Sequence, residues 1–237
     1  MKKILTTAIL CAGLVGFTAC DSFLDEDPKS SLTLDTYYKT SADIIGNVNY
    51  LYRDGAPDKM GNMTGAYRGS SLSVMNMVTG YFVNEYEGQE VDCSYARQLT
   101  RQDFTQSCCN YLTNDTWKSC YKSINVANAV IKYVDGVEMD NQAQYKAEAR
   151  FFRALNYFYL VKMFGDVPMV TEPTEDATLV EYPTRTAASE VFNTVIIPDL
   201  QFAVENLPNA TFAGNSHRVT KYAADMLLAD VYMRLGE

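Results

Sequence analysis

An all-α fold of stacked helices is expected from three features of the sequence. The stretch AEARFFRALNYFYLVKMFGDVPMV, residues 147–170, reads as a helix with aromatic or aliphatic side chains on almost every face. A helix that is apolar nearly all round has to be enclosed by other helices. Upstream, Trp117, Tyr121, Ile124, Asn128 and Ile131 fall in one helical row, and Cys120, Ala127 and Val134 in the adjacent one. Finally, Phe164-Gly165-Asp166 and Leu235-Gly236-Glu237 close two stretches rich in Ala, Leu and Tyr, which marks a repeated unit.

In chain order, Met1-Lys2-Lys3 is followed by an apolar run from Ile4 to Phe17 and then Thr18-Ala19-Cys20. That is the charged, apolar and small-residue order of a secretory signal, and the run is shorter than the roughly 20 apolar residues a spanning helix needs. A small residue directly before Cys resembles a bacterial lipoprotein signal, with cleavage after Ala19 and acylation of Cys20, although Phe17 departs from the usual aliphatic residue there. The alternative is ordinary cleavage with Cys20 an incidental thiol. Several acyl chains hold a protein on a membrane far better than one. Residues 20–40 then read as an extended tether, in which Asp21, Asp25, Glu26 and Asp27 either repel an anionic surface or form a plain solvated linker.

Loss of residues 1–19 removes Lys2 and Lys3 and no acid, taking the net charge from −9 to −11. A chain this acidic is a poor nucleic-acid binder. Residues 41–237 have the length of one domain with a real core.

The first helix is expected from an N-cap at Ser41 through Ile44, Ile45, Val48, Leu51 and Tyr52 to a stop at Gly55. From Asp54 to Thr113 the pattern weakens into Gly, Asn, Ser and Met with interleaved Tyr, with one further helix over Leu72 to Tyr81. Regularity returns with a helix capped by Asn114 or Asp115 and ended by Gly136. The next opens near Asn141 with Gln144 as a weak capping box and closes at Gly165, where Pro168 forbids resumption. Another covers SEVFNTVIIPDLQFAVENLP, residues 189–208, which Pro198 either kinks or splits. The last is VTKYAADMLLADVYMRLGE, residues 219–237.

The two matching helix ends, with small Ala residues that allow close pair packing, resemble the first helix of a tetratricopeptide repeat. The expected architecture is therefore a tetratricopeptide-like helical solenoid with long irregular loops. Its second unit has no paired helix after it, so the chain is expected to be incomplete at its C-terminal end.

Several separated blocks carry a more specific resemblance. They are CDSFLDEDP, TYYKTSADI, the row from Trp117 to Ile131, the block Ala147 to Ala154 running on through Phe164-Gly165-Asp166-Val167-Pro168, IIPDLQFAVENLP, and HRVTKYAADMLLADVYMRLG. Together and in order they resemble the SusD/RagB family of outer-membrane lipoproteins, here its N-terminal half. The resemblance implies a cell-surface, lipid-anchored protein that lies as a lid on a SusC-type TonB-dependent β-barrel transporter. It implies delivery of glycan oligosaccharides, or of peptides in the RagB branch, and no catalysis. A lipid-anchored tetratricopeptide scaffold that binds only proteins is the alternative.

The chemistry legible in the residues agrees with binding. His217 is the only His, and with no nucleophile elbow it points to a cap or surface contact rather than a triad. No Walker or Rossmann glycine loop occurs, and neither cofactor nor metal is expected. A glycosidase pair of carboxylates cannot be read from spacing alone. Glu148 with Arg150 or Arg153 reads as a structural ion pair, and Trp117 as core. Cys93, Cys108, Cys109 and Cys120 either form one or two disulfides, as an exported chain permits, or stay as buried thiols. For ligand capture the candidates are Tyr86 and Tyr95, whose flat rings suit a sugar face, with Asn84 and Arg97 as hydrogen-bond donors. The resemblance places a binding aromatic in this same loop, just before the Trp117 helix.

Overall fold

The computed structural model describes residues 34–52, 78–81, 98, 100–103, 107–174 and 183–236, with only the backbone for 107–115. Among the described residues seven α-helices follow in order: α1 Leu34–Tyr37, α2 Ser41–Tyr50, α3 Ser107–Tyr133, α4 Gln142–Phe164, α5 Ala188–Val191, α6 Ile197–Asn206 and α7 Lys221–Leu235. Among the described residues there is no strand beyond an isolated antiparallel bridge between Val167 and Thr186. The fold is all-α and tetratricopeptide-like: α3 and α4 form a helix pair, α4 also packs on α6, and α7 packs on α6.

The crowded helix is the centre of this stack. In α4, every residue from Phe151 to Phe158 is buried, and Tyr157, Phe158 and Leu160 are nearly or fully inaccessible. They meet Cys120, Ile124, Ala127 and Val130 of α3 and Ile196, Leu200 and Ala203 around α6 in one core. Each large apolar side chain enclosed in this way contributes about 1.5–3 kcal/mol. Trp117 lies at the rim, half-buried, with Phe164 edge-on at 5.1 Å and Tyr121 at 5.0 Å.

Helix ends depart from the sequence expectation in instructive ways. At α2 the N-cap is Thr40, one residue earlier than Ser41, because Thr40 and Asp43 complete a reciprocal capping box. The helix runs through Leu51 and Tyr52 as a wider turn, and Gly55 is outside the described residues. Helix α3 opens at Ser107, well before Asn114 and Asp115, since no Gly or Pro interrupts the chain between them. The box expected at Asn141 does not form. Asn141 adopts a left-handed conformation without a side-chain cap, Gln144 instead donates to Glu148, and Gln142 reaches back to the carbonyls of Val134 and Val137.

Pro198 does not end the helical run. Between α5 and α6, Phe192–Ile196 forms a π turn, and the chain stays helical from Ala188 to Asn206. Proline lacks an N–H and its ring presses on the carbonyl four residues back. The wider π turn relieves that clash. Both matched helix ends close on a left-handed glycine, Gly165 at φ 68° and Gly236 at φ 80°, a backbone state that favours residues without Cβ.

Two other expectations change. Within the stretch read as an extended tether, Leu34–Tyr37 makes a helical turn and Tyr38 is buried, stacked on Tyr133 at 5.2 Å. Of the helix expected over Leu72 to Tyr81, the described part is a turn at Val78–Gly80 with Gly80 at φ 78°.

Candidate functional site

The four residues expected to touch ligand, Asn84, Tyr86, Tyr95 and Arg97, lie outside the described residues, as does Cys20. The backbone that flanks the loop is described. Gln102 Nε2 donates to the Val78 carbonyl at 3.2 Å, and Asp103 N donates to Gln98 O at 2.9 Å. The first of these bonds links residues on either side of the segment 82–97. Tyr81 stands at its start with 87% of its surface exposed. Nothing in the apolar patterning singled out Tyr81, which was read as the end of a helix.

Beneath the loops, two buried polar clusters fix how the helices sit. In the first, the Arg153 guanidinium holds Asp199 with two bonds, Nε to Oδ2 at 2.6 Å and Nη2 to Oδ1 at 2.9 Å, and its Nη1 donates to Asn128 Oδ1 at 2.9 Å. Arg150 approaches the same carboxylate at 3.7 Å while its guanidinium lies over the Phe202 ring. One cluster thus joins α3, α4 and α6. Burial raises the Asp199 carboxyl above its ordinary value, against the opposing pull of Arg153 and then Arg150.

The second cluster surrounds Glu148, which is fully buried. Arg218 donates to both of its oxygens, Tyr52 donates from its hydroxyl at 3.0 Å and Gln144 from its amide at 3.1 Å. Arg218 also donates to Asn49 Oδ1 at 2.8 Å, and Val219 N donates to the Tyr52 hydroxyl at 2.9 Å. The ion pair expected between Glu148 and Arg150 or Arg153 is therefore corrected on both sides. Residues two and five apart on α4 are turned to different neighbours, so Glu148 faces α2 and the lead into α7, and Arg153 faces α3 and α6. Burial, and then the Glu148 charge, hold the Tyr52 hydroxyl well above its usual range.

An extended strap after α4 is sewn across the same faces. Tyr157 donates its hydroxyl to Val170 O at 2.8 Å and accepts from Val170 N at 2.7 Å, Tyr121 donates to Pro168 O at 2.7 Å, and Asn128 Nδ2 donates to Val170 O and Glu172 O. Burial pushes Tyr157 up to about 12, partly offset by its bond from Val170. Cys120 is a free, fully buried thiol that burial pushes up to about 12, which is the buried-thiol alternative at that position. It points into the core from α3, with no route to another sulfur among the described side chains. The side chains of Cys93, Cys108 and Cys109 lie outside the described residues.

Most polar atoms of these groups have internal partners, the buried Arg150 Nε being without a hydrogen bond, which marks them as framework. Surface aromatics are different in kind: Tyr81 and Phe212 are 87% and 59% exposed, and the second sits in a loop beside His217, whose ring is 5.2 Å away. Among the described residues no helix is long and apolar enough to cross a membrane, and no group of three or more His, Cys, Asp and Glu side chains gathers as a metal site.

Comparison with known proteins gives a consistent result. A family model of the SusD-like type, described as starch-binding and associating with the outer membrane, matches residues 22–233. The chain is 29% identical to SusD-like protein P2 of Formosa agariphila over its whole length, which spans 44% of that relative. Among solved structures, a laminarin-binding SusD-like protein superposes with a TM-score of 0.66 at 25% identity, over 84% of this chain and 41% of that one. A SusD superfamily protein from Parabacteroides distasonis gives a TM-score of 0.55 at 28% identity, over 68% of this chain and 33% of that one. The chain thus spans less than half the length of each of these proteins.

Proposed function

Because the chain belongs to the SusD-like family, we propose that it is a nutrient-binding lipoprotein, anchored through Cys20 and exposed on the outer membrane, which captures a glycan oligosaccharide and passes it to a SusC-type TonB-dependent transporter. The observation that carries this reading is the family match across residues 22–233, which includes the loop bearing Asn84, Tyr86, Tyr95 and Arg97 as well as the helical stack. The laminarin-binding relative supports a neutral glycan as the ligand class. An acidic chain with loop aromatics fits that class better than an acidic glycan.

The division of labour follows from the physical roles above. Buried charge clusters hold the helical stack, and Asn84, Tyr86, Tyr95 and Arg97 capture the sugar without bond cleavage. Pre-positioned loop aromatics bind a sugar face with little loss of side-chain entropy.

The test is a pull-down of the full-length tagged protein from outer membranes in mild detergent, paired with calorimetry against laminari-oligosaccharides, xylogluco-oligosaccharides and malto-oligosaccharides. Recovery of a large β-barrel together with heat of binding to a glycan is the expected result. Recovery of the barrel with binding only to peptides moves the reading to the peptide branch. Loss of the barrel, with soluble protein partners alone, overturns it in favour of a scaffold.

A further inference from the structure

We propose that the loop between α6 and α7 carries an additional sugar-stacking platform, the ring pair Phe212 and His217, which takes the apolar face of a neutral pyranose. This inference rests on the glycan-binding reading above and adds a contact separate from the loop of Tyr86 and Tyr95.

Phe212 is 59% exposed and His217 is exposed, with ring centroids 5.2 Å apart and planes at 79°. An edge-to-face contact of this kind uses at most one face of one ring, so both rings keep an open face. Neither packs against the core, and so neither contributes the burial that explains an aromatic residue inside a protein.

The backbone spends conformational energy to hold them there. Ser216 and His217 are consecutive left-handed residues at φ 51° and 62°, each disfavoured by about 1–2 kcal/mol for a residue with Cβ. Such strain persists only where the surroundings over-determine it, and here they do. His217 N donates to Phe212 O at 2.9 Å, Arg218 N to Asn215 O at 2.9 Å, and Asn215 Nδ2 to Val219 O at 2.9 Å. Lys221 N donates to Pro208 O at 3.1 Å and closes the loop across its base. The next two residues are pinned below, Arg218 on buried Glu148 and Val219 on Tyr52.

The surroundings select the ligand class. From Pro208 to His217 there is no Asp, Glu, Lys or Arg, and the exposed polar residues of that stretch besides His217 are Asn209, Thr211 and Ser216. The adjacent guanidinium of Arg218 is committed to Glu148. A ring face flanked by neutral hydroxyl and amide groups matches the alternating C–H face and hydroxyl rim of a sugar. A protein partner is better matched by a contiguous apolar centre with a polar rim.

The experiment measures affinity of the full-length protein for laminari-, xylogluco- and malto-oligosaccharides by calorimetry, with Phe212→Ala, His217→Gly and, as a comparison, Tyr86→Ala. His217→Gly removes one ring at a position whose backbone suits glycine, so the fold is retained. For a glycan bound by the unsubstituted protein, each loop substitution is expected to weaken affinity about threefold to tenfold, with an unchanged melting temperature for Phe212→Ala. Equal affinity in Phe212→Ala and His217→Gly overturns this platform and leaves the glycan reading intact, most plainly if Tyr86→Ala alone abolishes binding. Absence of binding to any glycan by the unsubstituted protein overturns both.

Discussion

At the scale of single residues, the buried clusters set the largest mutational effects. Asp199→Leu strands the Arg153 guanidinium in a buried site and is expected to cost about 3–5 kcal/mol, read from denaturant unfolding. Adding Arg153→Met to that variant is expected to restore much of the loss, since well-packed apolar residues often replace a buried pair without penalty. A double variant as unstable as Asp199→Leu alone counts against this account. Tyr157→Phe removes a hydroxyl that both donates to Val170 O and accepts from Val170 N. Leaving those two backbone groups without it is expected to cost about 1–3 kcal/mol, and Phe at that position keeps the packing. None of these partnerships was legible in spacing. Glu148 finds Arg218 seventy residues away, because spacing on one helix says which residues share a face and not which element covers it.

At the scale of elements, the helices announced themselves wherever burial decided the outcome. Helix α4 is crowded with apolar residues because α3, α6 and α2 surround it, and that crowding is visible in any linear reading. Ends were harder, since a cap is a contest between neighbouring candidates. Thr40 won over Ser41 because Asp43 stands three residues on and bonds back to it. The π turn before Pro198 escaped notice for a related reason: proline signals a break, and only the packing of Phe192, Val195 and Ile196 keeps the chain helical through it. The capping box also gives α2 a pH response. Bonds from the Thr40 hydroxyl and backbone hold the Asp43 carboxyl below its ordinary value, so its contribution is complete above the usual carboxylate range and is lost as pH falls through the lowered folded value. Protection from hydrogen exchange in the first turn of α2, taken relative to the intrinsic rate at each pH, is expected to fall as pH drops below the ordinary carboxylate range, and Asp43→Asn is expected to flatten that dependence. An unchanged pH profile in Asp43→Asn would remove the box as its source.

At the scale of the whole molecule, an exposed apolar stripe runs along α7 among the described residues. On α7, Tyr222, Met226 and Met233 are 53%, 75% and 71% exposed, and with Ala229 they form a stripe at heptad-like spacing. An apolar stripe of this kind drives association. The 237-residue chain is therefore expected to self-associate as concentration rises, and Met226→Glu with Met233→Lys to keep it monomeric in light scattering with unchanged helicity. Persistent association in that double variant would place the sticky surface elsewhere. The scaffold as a whole was legible from periodicity and repeated ends. The candidate contacts Asn84, Tyr86, Tyr95 and Arg97 carry no period, so they rest on residue type and resemblance and not on patterning. The two charged clusters, finally, act as index marks on a sliding scale. Smooth apolar faces let helices shift by a turn, about 5.4 Å, at small cost, but any such slip here would leave Arg153 or Glu148 facing hydrocarbon alone. One alignment of the stack therefore satisfies both clusters, and an alignment displaced by a turn carries an unpaired buried charge.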